Sequence, residues 1–110
     1  MMFSDTLATH YRALKTQSAD CILLMQVGAF MRVMDADAYT LARVVGLRLE
    51  RAGDEDNPVV LGGFPLSGLD LYVGKLVRSG LSVSIALQDE NKELRITECV
   101  RVQNSCGDAC

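Results

Sequence analysis

Apolar residues recur along the chain at two different periods, and the switches between them divide it into elements. Ser4-Asp5 offers an N-cap ahead of Leu7, Tyr11 and Leu14, whose i, i+4, i+7 spacing predicts an amphipathic helix ending near Ser18. The continuous apolar run Cys21–Val27, bounded by Asp20 and Gly28, predicts a strand buried on both faces, the natural centre of a sheet. Phe30–Met34 continues extended after a Gly28-Ala29 turn. Asp35 and Asp37 then place acid at the start of a helix that carries Leu41, Ala42 and Val45 inward and closes at Gly46.

The second half repeats this alternation. Leu47-Arg48-Leu49-Glu50-Arg51 alternates apolar with charged, as a strand with one wet face does, and an edge position suits it. Ala52–Pro58 reads as an exposed acidic loop, and Val59–Leu61 as a short strand before a Gly62-Gly63-Phe64-Pro65 turn. Ser67-Gly68-Leu69-Asp70 resembles a capping box opening a helix that buries Leu69, Tyr72, Val73, Leu76 and Val77 and ends at Gly80. Val83, Ile85 and Leu87 alternate with small residues. A turn at Asp89–Lys92 then leads to a last strand through Ile96, Val100 and Val102. Several strands per helix predict an α/β (α+β) layered domain: a mixed sheet of five to six strands flanked by three main helices.

Length and composition narrow the classes. At 110 residues, 49% hydrophobic and 23% charged, the chain suits one globular domain over 1–110, with a core over 4–103 and a frayed tail over 104–110. A net charge of -3 lacks the basic excess of a strong autonomous nucleic-acid binder, so any DNA contact must be local. No apolar run approaches the length of a membrane span, and the N-terminus lacks the pattern of a secretory signal, so the cytoplasm is the expected compartment. Cys21, Cys99, Cys106 and Cys110 form no C-x-x-C pair. Cys21 and Cys99 read as small buried hydrophobes.

Several chemistries find no support. No phosphate-binding glycine loop of the G-x-x-x-x-G-K-[ST] type occurs, so ATP binding by this chain is not expected. No G-x-S-x-G elbow occurs, and His10, the one histidine, reads as a helix-surface residue without an acid partner. Asp54-Glu55-Asp56 reads as a solvated turn rather than a metal site. The sequence thus predicts a protein that is not an enzyme and uses no metal or other cofactor.

From Tyr11 to Arg101 the chain resembles the N-terminal mismatch-recognition domain of the MutS family of DNA mismatch repair proteins. Tyr11 and Lys15 match the opening Q-Y-x-x-x-K, and Ala19-Asp20 sits where Pro-Asp is usual. Leu23-Leu24 with Val27-Gly28-Ala29-Phe30 resembles L-L-F-x-x-M-G-D-F, and Asp37-Ala38 falls on the D-A of the second helix. Gly46–Leu49 with Arg51 resembles L-G-I-x-L-x-x-R-G, and Pro58–Pro65 resembles P-I-P-M-A-G-I-P-Y-H. Tyr72–Ile85 is close to Y-L-x-K-L-V-x-x-G-x-x-V-A-I, with Gln88 at the following E-Q, and Cys99–Val102 resembles V-V-R-I.

The resemblance implies a mixed α/β sheet and an F-x-E motif, whose phenylalanine wedges into the minor groove beside a mispaired base while the glutamate hydrogen-bonds that base. Here the motif reads Phe30-Met31-Arg32. Arginine offers donors only, so Arg32 cannot accept from a base as a carboxylate does, and its charge favours DNA in general over a mismatch in particular. Ala29 also replaces the family's aspartate. The candidate DNA-binding residues are therefore Phe30, Arg32, Met31 and Arg51, with Arg43 and Arg48 adding to a local positive face. Read without the resemblance, Phe30 is a core residue and Arg32 a solvated strand residue, while Met25, Met31 and Met34 are core filler and Lys75 and Arg78 face solvent.

The chain ends just after the domain, so the resemblance implies a stand-alone module without the clamp, lever and ATPase regions of the repair proteins. Such a module would contact few phosphates and bind DNA weakly or non-specifically. The alternative is a protein-interaction or self-associating module that keeps the fold, using an edge strand or an exposed Phe30/Met31 surface to meet a protein partner or a second copy.

Overall fold

A computed structural model describes residues 5–54 and 57–102. In chain order the elements are α1 (Asp5–Lys15), β1 (Ile22–Val27), β2 (Phe30–Met34), α2 (Asp35–Val45), β3 (Leu49–Asp54), β4 (Asn57–Pro65), α3 (Leu69–Arg78), β5 (Val83–Gln88) and β6 (Leu94–Val100). Short 3-10 turns follow α1 at Thr16–Ser18 and precede α3 at Leu66–Gly68. The strands form one mixed sheet in the order β3-β4-β2-β1-β5-β6. Only β1 and β5 pair in parallel; the four other pairings are antiparallel.

The central strand β1 explains the layering. Side chains alternate across a strand, so its apolar run must feed two cores. Ile22 and Leu24 join Met31, Val33 and Phe64 under Ala38 and Leu41 of α2 and Leu76 of α3. Leu23 and Met25 join Met34, Val59, Leu61 and Ala86 under Ala8 and Tyr11 of α1. Gly46 closes α2 at φ +74°, its N–H donating to the Ala42 carbonyl and the next N–H, of Leu47, to the Leu41 carbonyl, as its place after the apolar stripe predicts. Leu69, Tyr72, Val73, Leu76 and Val77 all pack inward from α3.

The structure corrects several expectations. Gly62-Gly63-Phe64-Pro65 is not a turn but the second half of a nine-residue strand, because β2 pairs along it from Met34↔Leu61 to Phe30↔Pro65. The edge strand β3 starts at Leu49 rather than Leu47 and runs on to Asp54, so part of the expected acidic loop is ladder paired with β4. Ser67 caps nothing: it lies within the 3-10 turn, and Gly68 takes the N-cap of α3 without a side-chain hydrogen bond. Cys99 is exposed rather than buried because β6 is an edge strand. Its Sγ lies 3.4 Å from Ser84 Oγ. The Ser4 cap, Glu55-Asp56, Cys106, Cys110 and the tail over 104–110 lie outside the described residues.

Candidate nucleic-acid interface

The two-residue hairpin between β1 and β2 presents Phe30. Gly28 takes φ +62° at its first position, a conformation that glycine supplies without steric cost. The turn is braced from both sides. Gln88 accepts from the Gly28 N–H at 3.0 Å, while Gln26 donates to the Gly28 carbonyl at 2.9 Å and accepts from the Gln88 N–H at 2.8 Å. On the other side the Leu66 N–H donates to the Ala29 carbonyl at 2.8 Å. At 45% exposure Phe30 is one of three large hydrophobic side chains left open among the described residues. It is therefore a projecting ring on a fixed base rather than a core residue.

Arg32 lies on the same face of β2, two residues on. Its guanidinium carbon sits 5.9 Å from the centroid of the Phe30 ring, within cation–π range. Gly63 on β4 is its register partner and makes room for it. A Cβ at Gly63 would fall 2.9 Å from Arg32 Nη1 and 3.0 Å from the Met31 carbonyl oxygen, so a glycine is needed for the guanidinium to cross. Arg32 Nε is buried and has no hydrogen-bond partner among the described residues. An unmade bond of this kind costs about 1–3 kcal/mol, so packing and the ring contact hold the side chain in place.

The other candidates do not join them. Met31 is fully buried on the opposite face, in the core beneath α2 and α3, because it is the odd residue of an alternating strand. Arg51 pairs in register with Val60, which packs against that same core, so it too lies on the face away from Phe30. Arg43 is exposed on α2, the helix covering that other face. Of the candidates Phe30, Met31, Arg32 and Arg51, the fold brings together Phe30 and Arg32, and neither Arg43 nor Arg51 joins them. Met25 and Met34 are buried in the core as expected, and Lys75 and Arg78 are exposed.

Sequence reading missed the group that anchors the layers. The carboxylate of Asp37 is buried at the start of α2 and takes hydrogen bonds from the Leu23 N–H at 3.0 Å, the Tyr11 hydroxyl at 2.9 Å and the Lys15 ammonium at 2.9 Å. Lys15 also donates to the Cys21 carbonyl, and the Tyr11 hydroxyl lies 2.6 Å from the Leu23 carbonyl. Burial drives the Tyr11 phenol far above its ordinary range, and the neighbouring Asp37 charge adds to the rise. Tyr11, Lys15 and Asp37 are separated by up to 26 positions in the chain, so only their motif membership marked them. The network ties α1 and α2 to β1, the strand against which β2 holds Phe30.

Elsewhere the surface offers little chemistry. A groove of about 420 Å³ between α1 and the β5–β6 hairpin is lined by His10, Leu14, Lys92, Leu94 and Arg95 together with Glu93. Asp89, Glu90 and Glu93 on that hairpin offset its cations. Among the described residues no cluster of three or more His, Cys, Asp or Glu could hold a metal, and no helix is long and apolar enough to cross a membrane.

Comparison with known proteins agrees with this architecture. The family model described as MutS domain I matches residues 5–104. The DNA mismatch repair protein MutS of Salinibacter ruber is 38% identical over 88 residues, which cover 79% of this chain and 10% of that protein. Its counterpart in Methanothrix thermoacetophila is 36% identical over 93 residues, covering 83% of this chain and 11% of the relative. That of Thermus caldophilus is 34% identical over 87 residues, covering 79% and 11%. The chain thus spans about a tenth of the length of the curated relatives it matches. With the mixed six-stranded sheet, the three helices and a match running through nearly all of them, the chain belongs to the MutS domain I family.

Proposed function

We propose that this domain is a non-catalytic DNA-binding module in which Phe30 inserts between base steps and Arg32 faces the phosphate-lined groove beside it. The observation that carries this reading is the exposed Phe30 ring on a doubly braced turn, with the Arg32 guanidinium 5.9 Å from its centroid. Inserting an apolar side chain costs a few kcal/mol of unstacking, which a mispaired or unpaired base lowers. The lowered cost would favour a defect, but Arg32 cannot accept a hydrogen bond from the displaced base, and its positive charge attracts matched and mismatched duplexes alike. Binding is therefore weak and only slightly selective for a defect, with dissociation constants of about 1–100 micromolar at physiological salt.

The test is fluorescence anisotropy with a matched duplex and with duplexes carrying a G·T pair or one unpaired base, at low and moderate salt. Binding to all within a few-fold, weakening as salt rises, supports the reading. No binding to any duplex at low salt overturns it and leaves the protein-interaction reading, which the exposed Tyr39 and Leu71 side chains favour.

A further inference from the structure

Arg32 stands where its chemistry sets a sequence preference as well as an affinity. Its guanidinium is confined between the Phe30 ring and the backbone at Gly63, with Nε turned inward and buried. Its outward edge can offer nitrogen–hydrogen donors and no acceptor. Apolar wedges of this kind enter base steps from the minor groove, prying the step open on that side and kinking the duplex toward the major groove. With the guanidinium 5.9 Å from the ring centroid, less than two base-pair rises of about 3.4 Å, Arg32 meets the minor-groove edge of the pairs flanking the inserted step. In that groove A·T and T·A pairs show acceptors alone, adenine N3 and thymine O2, whereas a G·C pair adds the guanine N2 amino donor. A donor held against a donor is left unpaired. The narrow minor groove of A·T tracts adds a stronger negative potential, which attracts an inserted arginine.

We infer that Arg32 makes this site a minor-groove reader selective for A·T over G·C pairs flanking the wedge. The inference rests on the DNA-binding reading above and adds to it a ligand: a matched duplex whose step beside the ring presents acceptors only. The position of the guanidinium against the Phe30 ring and Gly63 matters here, because a freely rotating arginine would swing to the nearest phosphate and read nothing.

The experiment measures anisotropy at low salt on three matched duplexes of equal length whose central steps are A·T, G·C or inosine·cytosine. Inosine removes the guanine N2 amino group and otherwise keeps the purine. The expected order is A·T and inosine·cytosine alike, each bound about fivefold or more tighter than G·C. In Arg32→Gln, whose amide can accept from the guanine amino group, the inosine·cytosine to G·C ratio falls toward one. Unfolding curves confirm that the variant keeps its fold.

Equal binding of all three duplexes by the natural sequence overturns this inference and leaves the DNA-binding reading standing. A preference that survives unchanged in Arg32→Gln also overturns it, because the selectivity would then come from duplex deformability. Failure to bind any of the three overturns both readings.

Discussion

Replacing Asp37 with alanine should be among the most damaging single changes to this fold, and the size of the loss follows from its partners. The carboxylate is the shared acceptor for the buried Leu23 N–H, the Tyr11 hydroxyl and the Lys15 ammonium. Without it the Leu23 N–H is a buried donor with no acceptor, at a cost of about 1–3 kcal/mol. Tyr11 keeps the Leu23 carbonyl as a partner, so its loss is smaller. Lys15 loses its counter-ion but has a side chain 28% exposed, so it regains part of its hydration. The sum lies at the lower end of the range for breaking a buried pair, about 3–4 kcal/mol. For a domain near this size each kcal/mol moves the midpoint by about 4–8 °C, so Asp37→Ala should lower Tm by more than about 12 °C. Urea and thermal unfolding measure this directly. Arg12→Ala serves as the control: it removes the exposed pair with Asp35, whose partners are 49% and 41% exposed, and should cost no more than about 1 kcal/mol. If Asp37→Ala stays within 1 kcal/mol of the natural protein, the layers are not held by this network.

Further outcomes follow from the same geometry. Gly63→Val places a side chain where Arg32 Nη1 and the Met31 carbonyl lie 2.9 and 3.0 Å from an added Cβ, so it should displace the guanidinium. Salt-dependent DNA affinity should then fall several-fold while the folded content in circular dichroism stays unchanged. Asp89 is held below the usual carboxylate range, first by the Glu93 N–H and then by the Asn91 N–H, with Arg95 adding to the effect. Its stabilisation is present above the unfolded carboxylate range and is lost as pH falls through the lowered folded value. Asp89→Ala should therefore lower Tm at pH 7, by an amount that shrinks as pH falls through the lowered folded value, as a pH series of melts would show.

The central strand, Gly46 at the end of α2 and the inward face of α3 were legible because local pattern and tertiary role agree there. Gly62–Pro65 was misread because glycine and proline signal turns locally, whereas here the edge of β2 recruits them into ladder and Gly63 serves Arg32. Phe30 and Arg32 were found from the motif they share. That Met31 turns away follows from strand alternation, a signal present in the sequence and set aside for the motif. Arg51 could be placed only once the register with Val60 was known. Neither the Gln26–Gln88 brace nor the Asp37 network leaves a local trace, because each joins residues from distant parts of the chain.

Insertion of Phe30 is the claim on which the functional reading turns, and 2-aminopurine fluorescence tests it most directly. A duplex carrying this base analogue beside a flexible pyrimidine–purine step brightens when the base is unstacked. The natural protein, at saturating concentration and low salt, should raise the emission. Phe30→Ala, brought to equal occupancy, should not. Saturable binding with no rise, or an equal rise with Phe30→Ala, would contradict a wedge at this position.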